Sequence, residues 1–413
     1  MLRVLAITHA LGFGGAQVST LEFLKLLKGL VDIRIVVCES ADERFVDGLR
    51  SLGLQFRGVL CKLIASYPDM AVDSVSVLIE WADVVWITDV EYLIAPRIKR
   101  VRRVPIVAHL RSYALLCPWW GLLYGMRDVC SGCSLGRIVR CKQLFNEELI
   151  KLGILSPFKG HVYKLLDFVK GPADYARFRV LFRNVVESID GFIAVSRFVE
   201  EIHKRLMGSD KPIETIYNPV TTPLEFLSSN SVIVEGPRDD VILYASGSNP
   251  VKGPHLALEA FKFLIEEGHK VKMIMTGCKG SWVEAYAKRV GVSEYVEFAS
   301  KISLEQLYKS MSRARAVIMP SVWPEPFGRE PVEANRLGTP AVVTNRGGLP
   351  ETVVDGETGL VVEPNPEALA RALSRYISGG AVDARKIAEL SLRYLEPEKS
   401  VEALLSFFHK FVV

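Results

Sequence analysis

Pro320-Ser-Val-Trp-Pro-Glu-Pro-Phe-Gly-Arg-Glu-Pro-Val-Glu-Ala-Asn-Arg-Leu-Gly-Thr-Pro-Ala-Val-Val-Thr344 is the stretch on which the reading of this chain turns. The apolar run Ala316–Pro320 predicts a strand that stops at a proline. A loop carrying Glu325-Pro-Phe-Gly328 follows, and a helix is expected to begin near Arg329 or Glu330. Gly338-Thr-Pro340 then closes that helix, and Ala341–Thr344 predicts the next strand. Strand, loop, helix and strand in so few residues is a unit of an α/β fold with a parallel sheet.

The same alternation extends in both directions. Upstream, the β-branched runs Val241–Ser246, Val271–Thr276 and Tyr295–Ala299 predict strands, and downstream so does Leu360–Val362. Helices are expected at Pro254–Glu267, Trp282–Val290 and Leu304–Met311. A second series begins at the N-terminus with strands at Arg3–His9, Asp32–Cys38, Asp83–Thr88, Val104–His109, Asp190–Ser196 and Ile213–Tyr217, and a helix at Ala16–Lys28. Their nearly continuous Val, Ile and Leu content suits strands covered on both faces. Between the series, Asn218–Asp240 is rich in proline, serine and glycine, a linker composition. The expected organisation is a first domain over 1–220, a second over 238–394, and a C-terminal helix over 395–413 that packs back on the first. The interval 111–187 lacks a confident strand and reads as a cysteine-bearing insertion in the first domain. Two doubly wound sheets facing one another would form a cleft at the carboxyl ends of their strands.

A chain of 413 residues with 49% hydrophobic and 24% charged residues has the composition of a folded protein with large cores. Its mean hydropathy of +0.21 is high, yet no stretch reaches the roughly 18 uninterrupted apolar residues of a membrane span. The first residues lack the long apolar core of an export signal, so a cytoplasmic site of action is expected, where seven cysteines need not pair.

The chemistry of the opening stretch lies in its helix start. Unpaired N–H groups there favour phosphate, and Gly328 lets an anion approach the backbone. Glu333, on the first turn, can accept two hydroxyl hydrogen bonds from a ribose, as the acidic residue of dinucleotide folds does. Glu325 in the loop can grip sugar hydroxyls. The alternative for two glutamates at this place is that they only offset the helix dipole.

Glu325 and Glu333, with Ser321, Phe327-Gly328, Glu333-Ala334, Gly338-Thr-Pro340, Gly347-Gly348-Leu-Pro-Glu351 and Asp355-Gly-Glu-Thr-Gly359, resemble the E-x7-E signature and surrounding motifs of the retaining family 4 glycosyltransferases. The resemblance implies the GT-B type of α/β fold, with two facing Rossmann-like doubly wound parallel-sheet domains. It implies that Glu333 binds the nucleotide ribose, Glu325 the donor sugar, and the backbone around Phe327, Gly328 and Arg329 the diphosphate or sugar. Lys252, in Asn249-Pro-Val-Lys-Gly253, matches the family lysine that neutralises the leaving diphosphate. A cation there stabilises charge that grows in the transition state. The Gly-Arg pair usual ahead of that lysine reads Gly247-Ser248, so one of two expected cations is absent.

In the first domain, Gly14 and Gly15 close a glycine turn that opens a helix, the place where similar proteins contact the donor phosphate and the acceptor. His109, at a strand end, matches a family histidine near the reacting face of the sugar, with a positioning or electrostatic role. The chain has no Asp-x-Asp triplet of the kind that chelates a metal-bound diphosphate, so no cofactor is expected for catalysis. Cys117, Cys130, Cys133 and Cys141 form a cluster with one C-x-x-C unit, and either a structural zinc or two disulfides would explain it.

Charge marks a further partner. Arg97–Arg183 holds 17 Lys or Arg against five acids, a local +12 in a chain of net +4. With Trp119, Trp120, Leu122, Leu123 and Tyr124 beside it, this region predicts either an enzyme peripheral to an anionic membrane or a solvated charged face with the Trp residues packed beneath it. Nothing in it reads nucleic acid. The function expected is transfer of a sugar, with retained configuration, from a nucleotide-diphosphate donor to a glycan or lipid-linked acceptor. The alternatives are a nucleotide-sugar epimerase on the same fold and a non-catalytic sugar-nucleotide-binding relative.

Overall fold

The computed structural model describes residues 1–8, 14–38, 55–58, 72–89, 91–119, 121–230, 238–379 and 383–412, with the backbone alone at 55–58, 161, 163–169 and 228–230. The chain forms two compact units. The first comprises Met1–Gly121, Ala173–Pro219 and Glu396–Val413, and the second Leu122–Pro172 and Val220–Leu395.

The first unit is built on a seven-stranded parallel sheet. Its strands are β1 (Arg3–Thr8), β2 (Asp32–Val37), β3 (Gln55–Gly58), β4 (Val84–Ile87), β5 (Ile106–Leu110), β8 (Gly191–Ala194) and β9 (Ile213–Thr215), the labels β6 and β7 belonging to a hairpin of the second unit, Leu123–Tyr124 and Asp128–Val129. The spatial order is β3-β2-β1-β4-β5-β8-β9. Every central strand is buried on both faces, which explains the unbroken apolar runs. Against one face lie the Gly15–Leu27 helix, through Phe23, Leu24 and Leu27, and the C-terminal Pro397–His409 helix, through Val401, Leu404, Phe407 and Phe408. Full burial of each such side chain stabilises the fold by about 1.5–3 kcal/mol. That apolar stripe is why the last helix, though last in sequence, belongs to the first unit.

The second unit carries a six-stranded parallel sheet of β10 (Val241–Tyr244), β11 (Lys272–Thr276), β12 (Val296–Ala299), β13 (Ala316–Met319), β14 (Ala341–Thr344) and β15 (Gly359–Val362), in the order β12-β11-β10-β13-β14-β15. Its helices Pro254–Glu266, Trp282–Val290, Leu304–Arg313, Arg329–Arg336 and Pro366–Ser378 alternate with the strands. The chain order reverses at β10 and β13, so the crevice at their carboxyl ends is the switch point of this sheet.

The insertion divides differently from the expectation. Residues 122–172 pack with the second unit, not the first. The physical reason is apolar: Leu123 and Met126 are buried in the core around Ile242, Tyr244 and Phe261, and Phe145, Leu149 and Leu152 of the Leu135–Lys151 helix pack on it. The antiparallel β6–β7 hairpin opens this segment. A long helix, Pro157–Ser188, with Pro172 inside it, returns to the first unit.

Candidate functional site

The strand β13 ends at Met319, and the loop after it is held from three sides. The Ser321 hydroxyl, fully buried, lies 2.9 Å from Glu325 Oε1 and 3.0 Å from the Val251 carbonyl. The Thr344 hydroxyl donates to the Ser321 carbonyl at 2.7 Å. The Gly348 N–H donates to the Glu325 carbonyl at 2.7 Å, and Glu325 bridges Gly347 in parallel. Gly347 has φ +62°, and a Cβ on it would meet the Glu325 carbonyl oxygen at 2.3 Å. The glycine pair thus exists to let the Glu325 loop approach.

Lys252 ends the 3-10 turn Pro250–Lys252, capped by the Asn249 side chain. Its ammonium donates to both Glu325 oxygens at 2.7 Å and lies 4.9 Å from the Trp323 ring. Gly253 after it has φ +74°, and a Cβ there would strike the Pro320 carbonyl oxygen at 1.9 Å. Two residues 73 apart in sequence are therefore pressed together by glycine contacts. Burial pushes the Glu325 carboxyl above the usual carboxylate range, while Lys252 and Ser321 pull it back. Burial also opposes the Lys252 charge, but the Glu325 carboxylate outweighs it and holds the ammonium above its ordinary value. The Lys252 ammonium and the Glu325 carboxyl thus hold one another through two short hydrogen bonds.

The helix that follows this loop, Arg329–Arg336, starts at Gly328 with φ +91° and no side-chain cap. Its first N–H groups are not taken by a capping side chain, which suits an anion. Phe327, just before it in the chain, is buried. One turn on, Glu333 accepts from Arg329 at 3.1 Å, a pair with both side chains more than nine-tenths buried. Ser248 stands in the preceding loop, where its carbonyl accepts from the Trp282 indole at 2.8 Å.

The structure therefore brings Lys252, Glu325, Phe327, Gly328, Arg329 and Glu333 into one unit, with Lys252 on Glu325 and Arg329 on Glu333. Gly14 and Gly15 lie in the other, Gly14 as the extended N-cap of the Gly15–Leu27 helix, whose first turn holds no acid. His109 lies near the end of β5. It is fully enclosed, its ring 5.7 Å from Phe23 and 6.0 Å from Trp86.

Two other expectations change. Leu122 and Leu123 are buried and Tyr124 half-buried under Arg137, so of the proposed aromatic patch Trp119 alone is exposed among its described members; Trp120 lies outside the described residues. Exposed apolar groups are found instead on the Pro157–Ser188 helix, at Phe158, Val162, Val180 and Leu181. Of the cysteine cluster, the Cys130, Cys133 and Cys141 thiols donate to backbone carbonyls at 3.2, 3.9 and 3.4 Å, and none of the four is in a disulfide. Among the described residues no three His, Cys, Asp or Glu side chains form a group that could hold a metal ion.

Sequence reasoning missed two residues. Trp323 lies against Lys252, and Arg111 lies against His109. The only signal for the second was an arginine two positions after the histidine.

Residues 230–410 match the family model described as "Glycosyl transferases group 1". The D-inositol 3-phosphate glycosyltransferase of Streptomyces avermitilis is 33% identical over 162 residues, 36% of this chain and 35% of that protein. Spore coat protein SA of Bacillus subtilis is 24% identical over 250 residues, 54% of this chain and 66% of that protein. The chain thus spans between about one third and two thirds of the length of these relatives. Among solved structures, Anabaena HepE in complex with UDP and glucose superposes with a TM-score of 0.68 at 15% identity, covering 99% of this chain and 100% of that one. Sucrose-phosphate synthase from Thermosynechococcus elongatus gives 0.64 at 14% identity, covering 99% of both. At these identities the likeness establishes the fold: two Rossmann-like parallel-sheet units of the GT-B kind.

Proposed function

We infer, from a second unit that is a group 1 glycosyl transferase domain, that this chain transfers a sugar from a nucleoside-diphosphate donor to an acceptor hydroxyl with retention of configuration. The observation that carries the reading is the pairing of the partly exposed Lys252 with the buried Glu325, in the same unit as the uncapped helix that bears Glu333. Glu333 takes the ribose hydroxyls, the N–H groups after Gly328 take the diphosphate, and Glu325 takes donor-sugar hydroxyls. Lys252 is the cation that meets negative charge on the departing diphosphate, a contribution worth about 10²–10³ in rate for one such group.

In the reaction, the bond between the anomeric carbon and the diphosphate oxygen breaks. The acceptor oxygen bonds to that carbon on the same face, and the acceptor proton passes to the leaving phosphate. The residues of the chain bind, orient and neutralise, and none takes a proton. Gly14 and Gly15 contact the donor phosphate, and His109 positions the sugar. Arg329 is a second buried cation in the unit that lacks an arginine at Ser248. The Cys117, Cys130, Cys133 and Cys141 loop plays no part in the chemistry.

The acceptor is a glycan or lipid-linked glycan, and the surface that brings the enzyme to it is the Pro157–Ser188 helix. Lys170, Arg177, Arg179 and Arg183 are exposed there beside Val180 and Leu181. Basic residues at an anionic bilayer contribute about 1 kcal/mol each. Sedimentation with phosphatidylserine vesicles, and not with neutral ones, is the expected result.

Release of nucleoside diphosphate that requires acceptor tests the main reading. Conversion of the donor without acceptor would make the protein an epimerase, and donor binding with no product would make it a non-catalytic relative.

A further inference from the structure

The carboxyl edge of the first unit's sheet holds a row of buried polar side chains that includes His109. One residue beyond the paired Ile7, Ile87 and Ala108 of β1, β4 and β5 come Thr8, Thr88 and His109, all buried. Among the described residues, the Thr88 hydroxyl and His109 Nε2 are buried and meet no hydrogen-bond partner. Buried polar atoms of this kind are rare and call for a ligand atom or a water to meet them.

Arg111 decides what His109 can offer. Its guanidinium donates to the Ala16 carbonyl and the Thr20 hydroxyl, both on the Gly15–Leu27 helix, and lies over the Phe23 ring at 6.0 Å. Another guanidinium nitrogen reaches His109 Nδ1 at 3.5 Å. Arginine has no acceptor and does not lose its proton, so Nδ1 must be the accepting nitrogen and the ring proton must sit on Nε2. The rest of the residue is pinned as well. The Tyr92 hydroxyl donates to the His109 carbonyl at 2.7 Å, and Phe23 and Trp86 pack against the ring. Burial first, and the Arg111 charge second, hold the imidazole well below its ordinary pKa.

We propose that Arg111 is a positioning residue that fixes the His109 proton on Nε2, so that His109 meets a sugar oxygen as a hydrogen-bond donor and never as a base. Thr88, at the neighbouring register position, completes a small site for one oxygen atom. The identity of that oxygen rests on the glycosyl-transfer reading; the tautomer does not.

Nuclear magnetic resonance of the full chain carrying 13C- and 15N-labelled histidine reads the tautomer directly, with His109→Asn assigning the signal. In the parent protein His109 is expected to show a proton on Nε2 and a bare Nδ1 at about pH 7. A proton on Nδ1, or an imidazolium at that pH, would overturn the proposal. In Arg111→Met the Nδ1 acceptor signature should be lost in favour of a mixture, and retention of the pure Nε2 form would likewise overturn it. Should that variant not fold, Arg111→Gln, whose amide both donates and accepts, is expected to admit both tautomers; a single Nε2 form there contradicts the lock. If acceptor-dependent turnover is absent while the parent pattern holds, the lock stands and only its sugar oxygen is withdrawn.

Discussion

The two sheets carry their polar groups in opposite ways. Among the described residues of the second unit, each buried carboxylate has a cation on it, Lys252 on Glu325 and Arg329 on Glu333. In the first unit the central group is a neutral imidazole with a cation behind it. Charged pairs can exchange partners when a charged ligand arrives, whereas a neutral donor can meet a neutral hydroxyl without leaving a charge unpaired. The contrast sets two carboxylate–cation pairs in the second unit against a neutral ring with a cation behind it in the first.

Breaking the charged half should have the largest effect. Lys252→Ala is expected to lower turnover about 10²–10³-fold while leaving nucleotide binding largely intact, measured as kcat against the dissociation constant of a nucleoside diphosphate. An equal loss in both would move Lys252 from catalysis to ground-state binding. Next in size, Glu333→Ala should weaken nucleoside-diphosphate binding roughly 10–100-fold, the worth of hydrogen bonds to a charged group. Calorimetry showing unchanged affinity would remove the ribose assignment.

The support of the charged half can be broken separately. Gly347→Ala, at φ +62° against the Glu325 backbone, should destabilise the chain by about 1–3 kcal/mol, read as a lower denaturation midpoint. No change would mean that the close approach is not required.

A last test concerns neutral histidines held by burial. Burial pushes the His203 and His255 imidazoles down to about 4 from the ordinary 6.5. The folded state then binds fewer protons than the unfolded one between those values. Their contribution is fully present above about pH 6.5 and is lost as pH falls toward 4, with a slope of up to about 1.4 kcal/mol per pH unit for each. Urea midpoints that stay flat from pH 6.5 to 4.5 would contradict this.

Much of the second unit was legible because local and global signals agree there. Ala316–Pro320 and Ala341–Thr344 lie where strands β13 and β14 form, and the helix between them starts at Arg329 as its glycine predicts. The four-residue β3 was missed because an edge strand so short carries no period. The β6–β7 hairpin was missed because its strands are two residues long and Met126 adopts φ +59° without being glycine. The placement of residues 122–172 depends on which core Leu123 and Met126 enter, a tertiary choice that no local pattern encodes. The Lys252–Glu325 contact was equally invisible, since 73 residues separate its members and only the fold brings them together. His109 illustrates the reverse: its strand was found, but its enclosure depends on Phe23 and Trp86 from other elements.

The central claim is that the second unit grips a nucleoside diphosphate through Glu333 and the helix start at Gly328. Isothermal titration of the full chain with UDP, GDP and ADP tests it most directly. Saturable one-to-one binding of at least one of the three, weakened in Glu333→Ala, is the predicted result, and no heat of binding from any of them would contradict the account.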